Sequence, residues 1–224
     1  MLELARTMGI EVPDVRLVPV GEVRGLPDQA HIIGGHALVI KRFDRDDHGG
    51  LVHMEGFAQV FGQFPATKYH NSSYANIASV LLAETGGGAV EEFFRRLVFN
   101  TFIGNRDMHL KNGSLLYTDP VKPVLAPAYD YVSTIPYIAT DGHAPGFGGV
   151  KHLGGITAEQ VRRFAGKVTY APSPLWKIME EIRETLPGAW ANLPARAQIP
   201  SQIDAKIDAH IARVAANISP GGKI

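Results

Sequence analysis

The sequence predicts a mainly helical α+β protein in which a few short strands accompany a larger set of helices. Glu91–Phe102 has large apolar side chains at helical spacing, and Gln202–Ile218 places isoleucine and valine along one helical face. Strands are predicted where short β-branched or leucine-rich runs are bounded by turn-forming residues, as in Val15–Val20 and Ser114–Tyr117. The helical segments cover more of the chain, so the predicted fold class is α+β, mainly α.

The composition is that of a globular protein with one core or two small lobes. The chain has 224 residues, of which 45% are apolar and 20% charged, and these are ordinary values. The 22 basic and 22 acidic residues balance, so no direct binding to nucleic acid is expected. The absence of cysteine excludes disulfides and thiolate metal sites. No apolar run approaches the ~18 residues of a membrane span, and the N-terminus lacks a signal-peptide pattern, so a cytoplasmic protein without membrane contact is expected.

The N-terminal part is predicted to contain one short helix and two strands. Leu2–Met8 has helical character and stops at a glycine, a common helix end. Val15–Val20 and His31–Arg42 are predicted strands on either side of a Gly/Pro loop, with a bend at Gly34-Gly35 in the second strand. Lys41–Arg45 then leaves the predicted sheet.

Three helices are predicted in the middle of the chain, over Glu55–Phe61, Ser72–Leu82 and Glu91–Phe102. The glycines of Thr85–Gly88 invite comparison with a phosphate-binding loop, but no Gly-Lys-Ser/Thr follows and no strand precedes them. An interhelical turn is therefore predicted there. Glu91–Phe102 is the most apolar of the three helices, and we expect it to be a buried central helix that leads into Gly104.

The C-terminal part is predicted to be helical after a glycine-rich loop over Thr140–Gly155. Thr157 is expected to cap a helix over Ala158–Lys167, and proline marks the start of a second helix over Pro174–Leu186. The stripe of apolar residues in Gln202–Ile218 predicts a third helix that packs on the core. Two tryptophans are expected to be buried in that core, namely Trp176 and Trp190.

A dense polar patch follows Gly104 and carries the side chains best suited to chemistry. Its members are Asn105, Arg106, Asp107, His109, Lys111 and Asn112. Four residues separate Asp107 from Asn112, which is the Asp-x-x-x-x-Asn spacing of a kinase catalytic loop. A hairpin of Leu115–Tyr117 and Val124–Leu125 is predicted to return the chain so that Asp130 faces Asn112.

These residue types suit phosphoryl transfer. Asp107 would act as the base that accepts the proton of the attacking hydroxyl, while the amide of Asn112 and the carboxylate of Asp130 would hold Mg²⁺ against the phosphates. Arg106 or Lys111 could neutralise charge on the transferred group. The alternative is that this pattern arises by chance, because most aspartates and asparagines at such spacings cap helices or fill turns.

The segment from Ile103 to Tyr117, followed by Leu125–Thr134, closely resembles the C-terminal domain of HipA-like serine/threonine kinases, the toxins of bacterial HipA/HipB systems. Three further stretches fit the same family in the same order: Lys41–Arg45, His53–Gly62 and Lys68-Tyr69. The resemblance runs from about Leu2 to about Leu186. It implies a protein-kinase-like C-terminal lobe with a few residual strands of the N-terminal lobe, divided into residues 1–45 (strands and hinge) and 46–224 (helical lobe).

The resemblance also implies a nucleotide site. In the family, the position of Lys41, Arg42 and Phe43 is the hinge that meets the adenine edge, and Asp44 would lie on the ribose side. The family usually has glutamate at the position of Lys41. A contact made by backbone atoms does not depend on the side chain, so it is compatible with this difference. His109 and Lys111 would stand near the phosphates. The alternatives are that Phe43 belongs to the core, that Arg42, Asp44 and Arg45 form an exposed ion-pair cluster, and that His109 is a loop histidine bonded to backbone.

The implied reaction is Mg²⁺-dependent transfer of the ATP γ-phosphate to a protein hydroxyl. The family suggests an aminoacyl-tRNA synthetase as substrate and a HipB-like helix-turn-helix antitoxin as partner. In full-length members the glycine-rich loop and the strand lysine that contact the phosphates lie N-terminal to the segment matching Leu2–Ile10. The chain is therefore expected to be a truncated kinase, a kinase whose N-terminal lobe is a separate chain, or a degenerate remnant. Two other functions stay open. One is a catalytically inactive binding module for an antitoxin or substrate protein. The other is a small-molecule phosphotransferase, since such enzymes have the same Asp-x-x-x-x-Asn spacing.

Overall fold

Helices account for most of the regular structure in residues 1–28, 35–63, 73–138 and 156–218, which are the residues that this computed structural model describes. The helices are α1 (Leu2–Thr7), α2 (Phe57–Val60), α3 (Tyr74–Glu84), α4 (Gly87–Ile103), α5 (Ala158–Val168), α6 (Pro172–Ala191) and α7 (Ser201–Asn217). The strands are β1 (Val15–Pro19), β2 (His36–Ile40), β3 (His53–Gly56), β4 (Ser114–Tyr117) and β5 (Val124–Leu125). The predicted class, mainly helical with a few strands, is confirmed.

The central helix is α4, as predicted, and it is longer than the sequence indicated. It packs against α3, α6 and α7, and Phe94, Val98 and Phe102 are completely buried. Apolar side chains on more than one face explain why it is surrounded by other helices. The predicted turn before it is limited to Thr85 and Gly86, where Gly86 has a positive φ of 90°.

The C-terminal helices begin and pack largely as their caps and apolar stripes predict. Thr157 and Gln160 form a capping box at the start of α5, with hydrogen bonds of 3.2 and 2.7 Å. In α7 the predicted stripe is buried except for the half-buried Ile203. Helix α6 continues through Pro187 and ends well past the predicted Leu186. The reason is tertiary packing, because Trp190 beyond the proline is only 1% exposed and donates from Nε1 to Asp208 Oδ1 at 3.2 Å.

The strands form two separate antiparallel sheets. Strands β1 and β2 pair with Leu17 opposite Leu38. The second sheet has the order β3-β4-β5, and Leu115 of β4 pairs with Leu125 of β5, so the predicted hairpin is confirmed. No helix among the described residues is long and apolar enough to cross a membrane.

One helix prediction was wrong. The stretch Glu55–Phe61 was expected to be a helix, but its first residues belong to β3, and only Phe57–Val60 is helical. The cause is strand pairing, since Glu55 lies opposite Leu115 of β4 and its carboxylate accepts a hydrogen bond from Tyr117 at 2.8 Å. Helical spacing in a seven-residue run cannot reveal a strand partner sixty residues away.

Some predictions fall outside the described residues. The predicted strand His31–Arg42 is observed as β2 preceded by Gly35, which has a φ of 84°, while residues 31–34, including Gly34, are not described. The predicted loop over Thr140–Gly155 and the Lys68-Tyr69 motif also lie outside the described ranges.

Gly104 ends α4 and turns the chain into the polar loop. Its backbone is left-handed, with φ 67° and ψ 40°, a conformation that glycine adopts without strain. A Cβ at this position would overlap the side chain of Ile135 and lie 3.1 Å from Cδ2 of His210. Both backbone conformation and packing therefore require glycine at the entrance to the loop.

We expect Gly104→Ala to lower the free energy of unfolding by about 2–4 kcal/mol, because alanine is strained at positive φ and its methyl group would collide with Ile135. Gly88→Ala is the matched control, since Gly88 is an exposed residue of α4. Apart from its chain neighbours and the adjacent backbone of its own helix, no atom lies within 4 Å of the place that an alanine methyl group would occupy. This control should raise stability by up to ~1 kcal/mol. Urea unfolding followed by circular dichroism measures both. Equal stability of the two variants would contradict the packing described around Gly104.

Candidate functional site

The buried side chain of Asn105 organises the loop that follows α4. Asn105 is only 2% exposed. Its Nδ2 donates to Oδ1 of Asn100 at 2.8 Å and, more weakly, to the carbonyl oxygen of Asp130 at 3.5 Å. Its Oδ1 accepts from the backbone N–H of Asp107 at 3.0 Å. One amide therefore joins the end of α4 to the backbone of both aspartates that the sequence singled out.

A second buried group, Arg96, connects α4 to the far side of the hairpin. Arg96 is 5% exposed; it donates to Glu92 at 2.7 Å and to the carbonyl oxygen of Ala126 at 2.7 Å. Its own carbonyl accepts from Nδ2 of Asn100 at 2.8 Å. Because buried polar groups are costly unless they are paired, this chain of bonds holds the strand that leads to Asp130 against the helix that leads to Asp107.

Within the loop, Asn112 and His109 both interact with Asp107. Nδ2 of Asn112 donates to the carbonyl oxygen of Asp107 at 2.8 Å, so the amide oxygen, and not the nitrogen, is the atom of this side chain that could bind a metal. His109 Nε2 lies 3.7 Å from Oδ1 of Asp107, and the Asp107 side chain is 52% exposed. The backbone N–H of Lys111 donates to Nδ1 of His109 at 3.3 Å. The backbone bond that the sequence left as an alternative for His109 is thus present, together with the approach to Asp107.

Asp130 is held in a left-handed conformation, with a φ of 60°, between two tyrosines that are fixed in place. The Tyr129 hydroxyl donates to the carbonyl oxygen of Lys111 at 2.9 Å and bonds to Ser114 Oγ at 2.6 Å. Tyr131 is buried and stacks on Phe99 with 5.5 Å between ring centroids. Burial raises the pKa of both tyrosines. Positive φ at a residue other than glycine stores strain, and such residues concentrate at functional sites.

A cavity of about 350 Å³ lies beside Tyr129. The rings of Phe43 and Tyr129 lie on it with centroids 5.7 Å apart. All four predicted hinge residues contribute to the same wall, and the full lining is Ile40, Lys41, Arg42, Phe43, Asp44, Met54 and Tyr129. Tyr129 therefore belongs both to this cavity and, through its bond to Lys111, to the polar loop.

Asp44 is also the centre of an ion-pair cluster. The Arg42 guanidinium makes two hydrogen bonds to its carboxylate, one of them at 2.7 Å from Nε, and Arg45 adds a bond of 2.9 Å. The hydrogen bonds from Arg42 hold the pKa of the Asp44 carboxyl below its usual value. The cluster that the sequence left as an alternative is therefore present, while Phe43 is half-buried on the cavity instead of lying in the core.

The side chains of Asn112 and Asp130 offer oxygen atoms as possible metal ligands. No group of three or more His, Asp or Glu side chains within the described ranges is arranged to hold a metal ion. Mg²⁺ in nucleotide sites is held by one or two carboxylates together with phosphate oxygens and water. The amide oxygen of Asn112 and the carboxylate of Asp130 fit that chemistry.

The structure brings the predicted residues into two connected groups. Asp107, His109 and Asn112 share the loop, and Asn105 links that loop to Asp130. The hinge residues line the separate cavity, which meets the loop at Tyr129. Sequence reasoning missed Tyr129 and Met54 as lining residues: the position next to Asp130 was a usable signal for Tyr129, but Met54 lies on β3, in a region where the strand was not predicted.

Comparison with known proteins agrees with this architecture. The family model of the HipA-like C-terminal domain matches residues 1–190. The chain is 44% identical over 209 residues to "Putative kinase Y4dM" of Sinorhizobium fredii, a match that covers 91% of this chain and 51% of the relative. It is 33% identical over 144 residues to a "Putative kinase" of Haemophilus influenzae, covering 61% of this chain and 40% of that protein. The chain thus spans about half the length of these relatives or less.

A solved structure shares the fold. HipA of Shewanella oneidensis MR-1, determined with HipB and its operator DNA, superposes with a TM-score of 0.77 at 21% identity, covering 96% of this chain and 54% of that one. At this identity the likeness concerns the fold alone. The family match over residues 1–190 agrees with the resemblance found in the motifs, and the chain belongs to the HipA-like C-terminal domain family.

Proposed function

We propose that this chain is the catalytic-loop portion of a HipA-like serine/threonine protein kinase, which transfers the γ-phosphate of ATP to a protein hydroxyl. The observation that carries the proposal is the Asn105 network, which ties the backbones of Asp107 and Asp130 to one helix end beside a cavity lined by the predicted hinge. Two relatives carry the name "Putative kinase", which supports the same reaction.

Asp107 is proposed as the base. Its side chain is about half exposed, so a serine or threonine hydroxyl on another protein can reach it, and proton transfer requires direct hydrogen-bond contact. Asn112 and Asp130 are proposed to hold Mg²⁺, which when bound would neutralise charge on the phosphates. His109 and Lys111 are proposed to stand near the phosphates from the same loop.

The cavity beside Tyr129 is the proposed adenine site. A volume of about 350 Å³ and two aromatic side chains in its wall suit a flat heterocycle, which gains from stacking and from burial. Lys41, Arg42 and Phe43 would line its edge. Asp44 would lie on the ribose side, where a ribose hydroxyl would share its carboxylate with Arg42 and Arg45.

The proposed partners follow from the family. The solved relative was determined with HipB and operator DNA, which supports a HipB-like antitoxin as the partner of this chain. The balance of 22 basic and 22 acidic residues favours DNA contact through the antitoxin over direct contact. An aminoacyl-tRNA synthetase is the protein substrate that the family suggests.

A catalytically inactive binding module is the second candidate. It is supported by the solved relative, which was determined with HipB and operator DNA. Turnover, by contrast, needs a clamp of charged groups on the phosphates. Loss of charged positioning groups at that clamp would cost several kcal/mol, or about 10³-fold in rate. Isothermal titration with Mg·ATP separates the candidates: no heat from the isolated chain, and none after an N-terminal lobe from a full-length relative is added, would favour the module.

Asp130→Asn should weaken Mg²⁺-dependent ATP binding by about tenfold or more, since it removes the charged metal ligand. Asparagine tolerates the left-handed backbone at this position, so the fold should persist. Asp107→Asn is the matched control, which should keep ATP affinity within about twofold and abolish transfer, because Asp107 is proposed to contact the acceptor hydroxyl and not the metal. Titration calorimetry measures the affinities. Equal losses of affinity in the two variants would contradict the assigned roles.

Phe43→Ala should weaken ATP binding about tenfold, because the adenine ring would lose one aromatic face of the cavity. Tyr137→Ala serves as the control, since Tyr137 is an aromatic side chain that is 70% exposed and does not line this cavity. Fluorescence competition with a labelled adenine nucleotide measures both. An unchanged affinity in Phe43→Ala would place the nucleotide elsewhere.

The acceptor class is tested with labelled ATP and a choice of substrates. We expect label on a protein serine or threonine when the chain, supplemented with an N-terminal lobe, is incubated with aminoacyl-tRNA synthetases and with aminoglycosides. The exposed position of Asp107 favours a large acceptor. Label on the aminoglycoside would instead identify a small-molecule phosphotransferase.

A further inference from the structure

The C-terminal helix α7 reaches the entrance of the polar loop through a buried histidine. His210 is 4% exposed, and its Nε2 lies 2.9 Å from the carbonyl oxygen of Thr101. Arg213 bonds to the other ring nitrogen, Nδ1, at 2.8 Å. A guanidinium can only donate and a carbonyl can only accept, so Nδ1 is the acceptor and Nε2 carries the proton that is donated to Thr101.

The bond satisfies a carbonyl at the very end of α4. Thr101 is among the last residues of the helix, whose carbonyl oxygens lack partners further along the helix. The N–H of Gly104 also approaches this oxygen, but at 3.3 Å, so His210 provides the shorter contact. Arg213 bonds to the ring nitrogen that faces away from Thr101. Its positive charge is favourable near the C-terminus of a helix, where the helix dipole is negative.

His210 also packs directly on the glycine that begins the loop. A Cβ on Gly104 would lie 3.1 Å from Cδ2 of His210. From the other side, Thr134 Oγ1 donates to the carbonyl oxygen of Gly104 at 3.0 Å, and Lys206 of α7 contacts the carbonyl oxygen of Pro136 at 3.3 Å. Helix α7 thus supports both the start of the loop and the segment that follows Asp130.

We infer that His210 is a positioning residue for the loop that carries Asp107, acting through its Nε2–H bond to Thr101. Gly104 leads to Asn105, whose amide holds the backbone of Asp107 and of Asp130, so a shift at the helix end moves both aspartates. Helix α7 lies outside residues 1–190 that the family model matches. The inference rests on the proposed function only where it treats this loop as catalytic.

The test compares two amide substitutions that differ in reach. In His210→Gln the amide nitrogen can occupy the place of Nε2 and donate to Thr101, whereas in His210→Asn the shorter amide reaches only as far as Nδ1. Hydrogen–deuterium exchange of the nucleotide-free protein is followed in peptides covering residues 104–112. We expect exchange close to wild type in His210→Gln and about tenfold faster in His210→Asn, the effect of losing one buried hydrogen bond.

Arg196→Ala controls for general loosening of the same helix. Arg196 bonds to Asp204 and Asp208 of α7. These residues precede His210 by six and two positions and, at about 100° per residue, lie on a different face of the helix. Loss of Arg196 should therefore leave exchange of residues 104–112 unchanged. Equal exchange in His210→Gln and His210→Asn, or an increase in Arg196→Ala as large as in His210→Asn, would overturn the inference. Because no nucleotide is present, these outcomes do not depend on kinase activity. In a transfer assay His210→Asn should have a lower kcat than His210→Gln, because the loosened loop carries Asp107, the proposed base.

Discussion

The structure depends on how the polar groups at the C-terminal end of α4 are paired. The helix is buried among others, so the carbonyls at its end cannot be left to water. Asn105 N–H bonds to the carbonyl of Asn100 at 2.9 Å, His210 bonds to that of Thr101, and Thr134 bonds to that of Gly104. Each partner comes from a different part of the chain. The requirement to satisfy one helix end therefore fixes the relative positions of the loop, the segment after Asp130 and the C-terminal helix.

The same network explains how an unfavourable backbone conformation is maintained at Asp130. Tyr129 and Tyr131 are each fixed by hydrogen bonds or ring stacking, and Asn105 reaches the carbonyl of Asp130 itself. A left-handed aspartate costs free energy that the surrounding contacts must offset. As a result, the exposed carboxylate of Asp130 extends from a backbone that is bonded to Asn105 of the polar loop. An extended backbone would point this carboxylate in another direction.

Much of the fold could be predicted because it depends on local patterns. Apolar periodicity predicted α4 and α7, and turn chemistry predicted the β4-β5 hairpin. The strand β3 could not be predicted, because it forms through pairing with β4, far away in the sequence. At the candidate site the Asp-x-x-x-x-Asn spacing identified the loop, yet Tyr129 and His210 were not recognised, since their roles arise from tertiary contacts that no local motif encodes. The assignments of Asp107, Asn112 and Asp130 remain predictions.

Tyr129 has a consequence for communication between the two halves of the site. Its ring belongs to the wall of the cavity, and its hydroxyl holds Lys111. A molecule that favours one orientation of this ring on entering the cavity must favour the corresponding arrangement of the loop, and thermodynamic linkage makes the effect reciprocal. Through this one phenol, we expect occupancy of the cavity and order of the loop to be coupled.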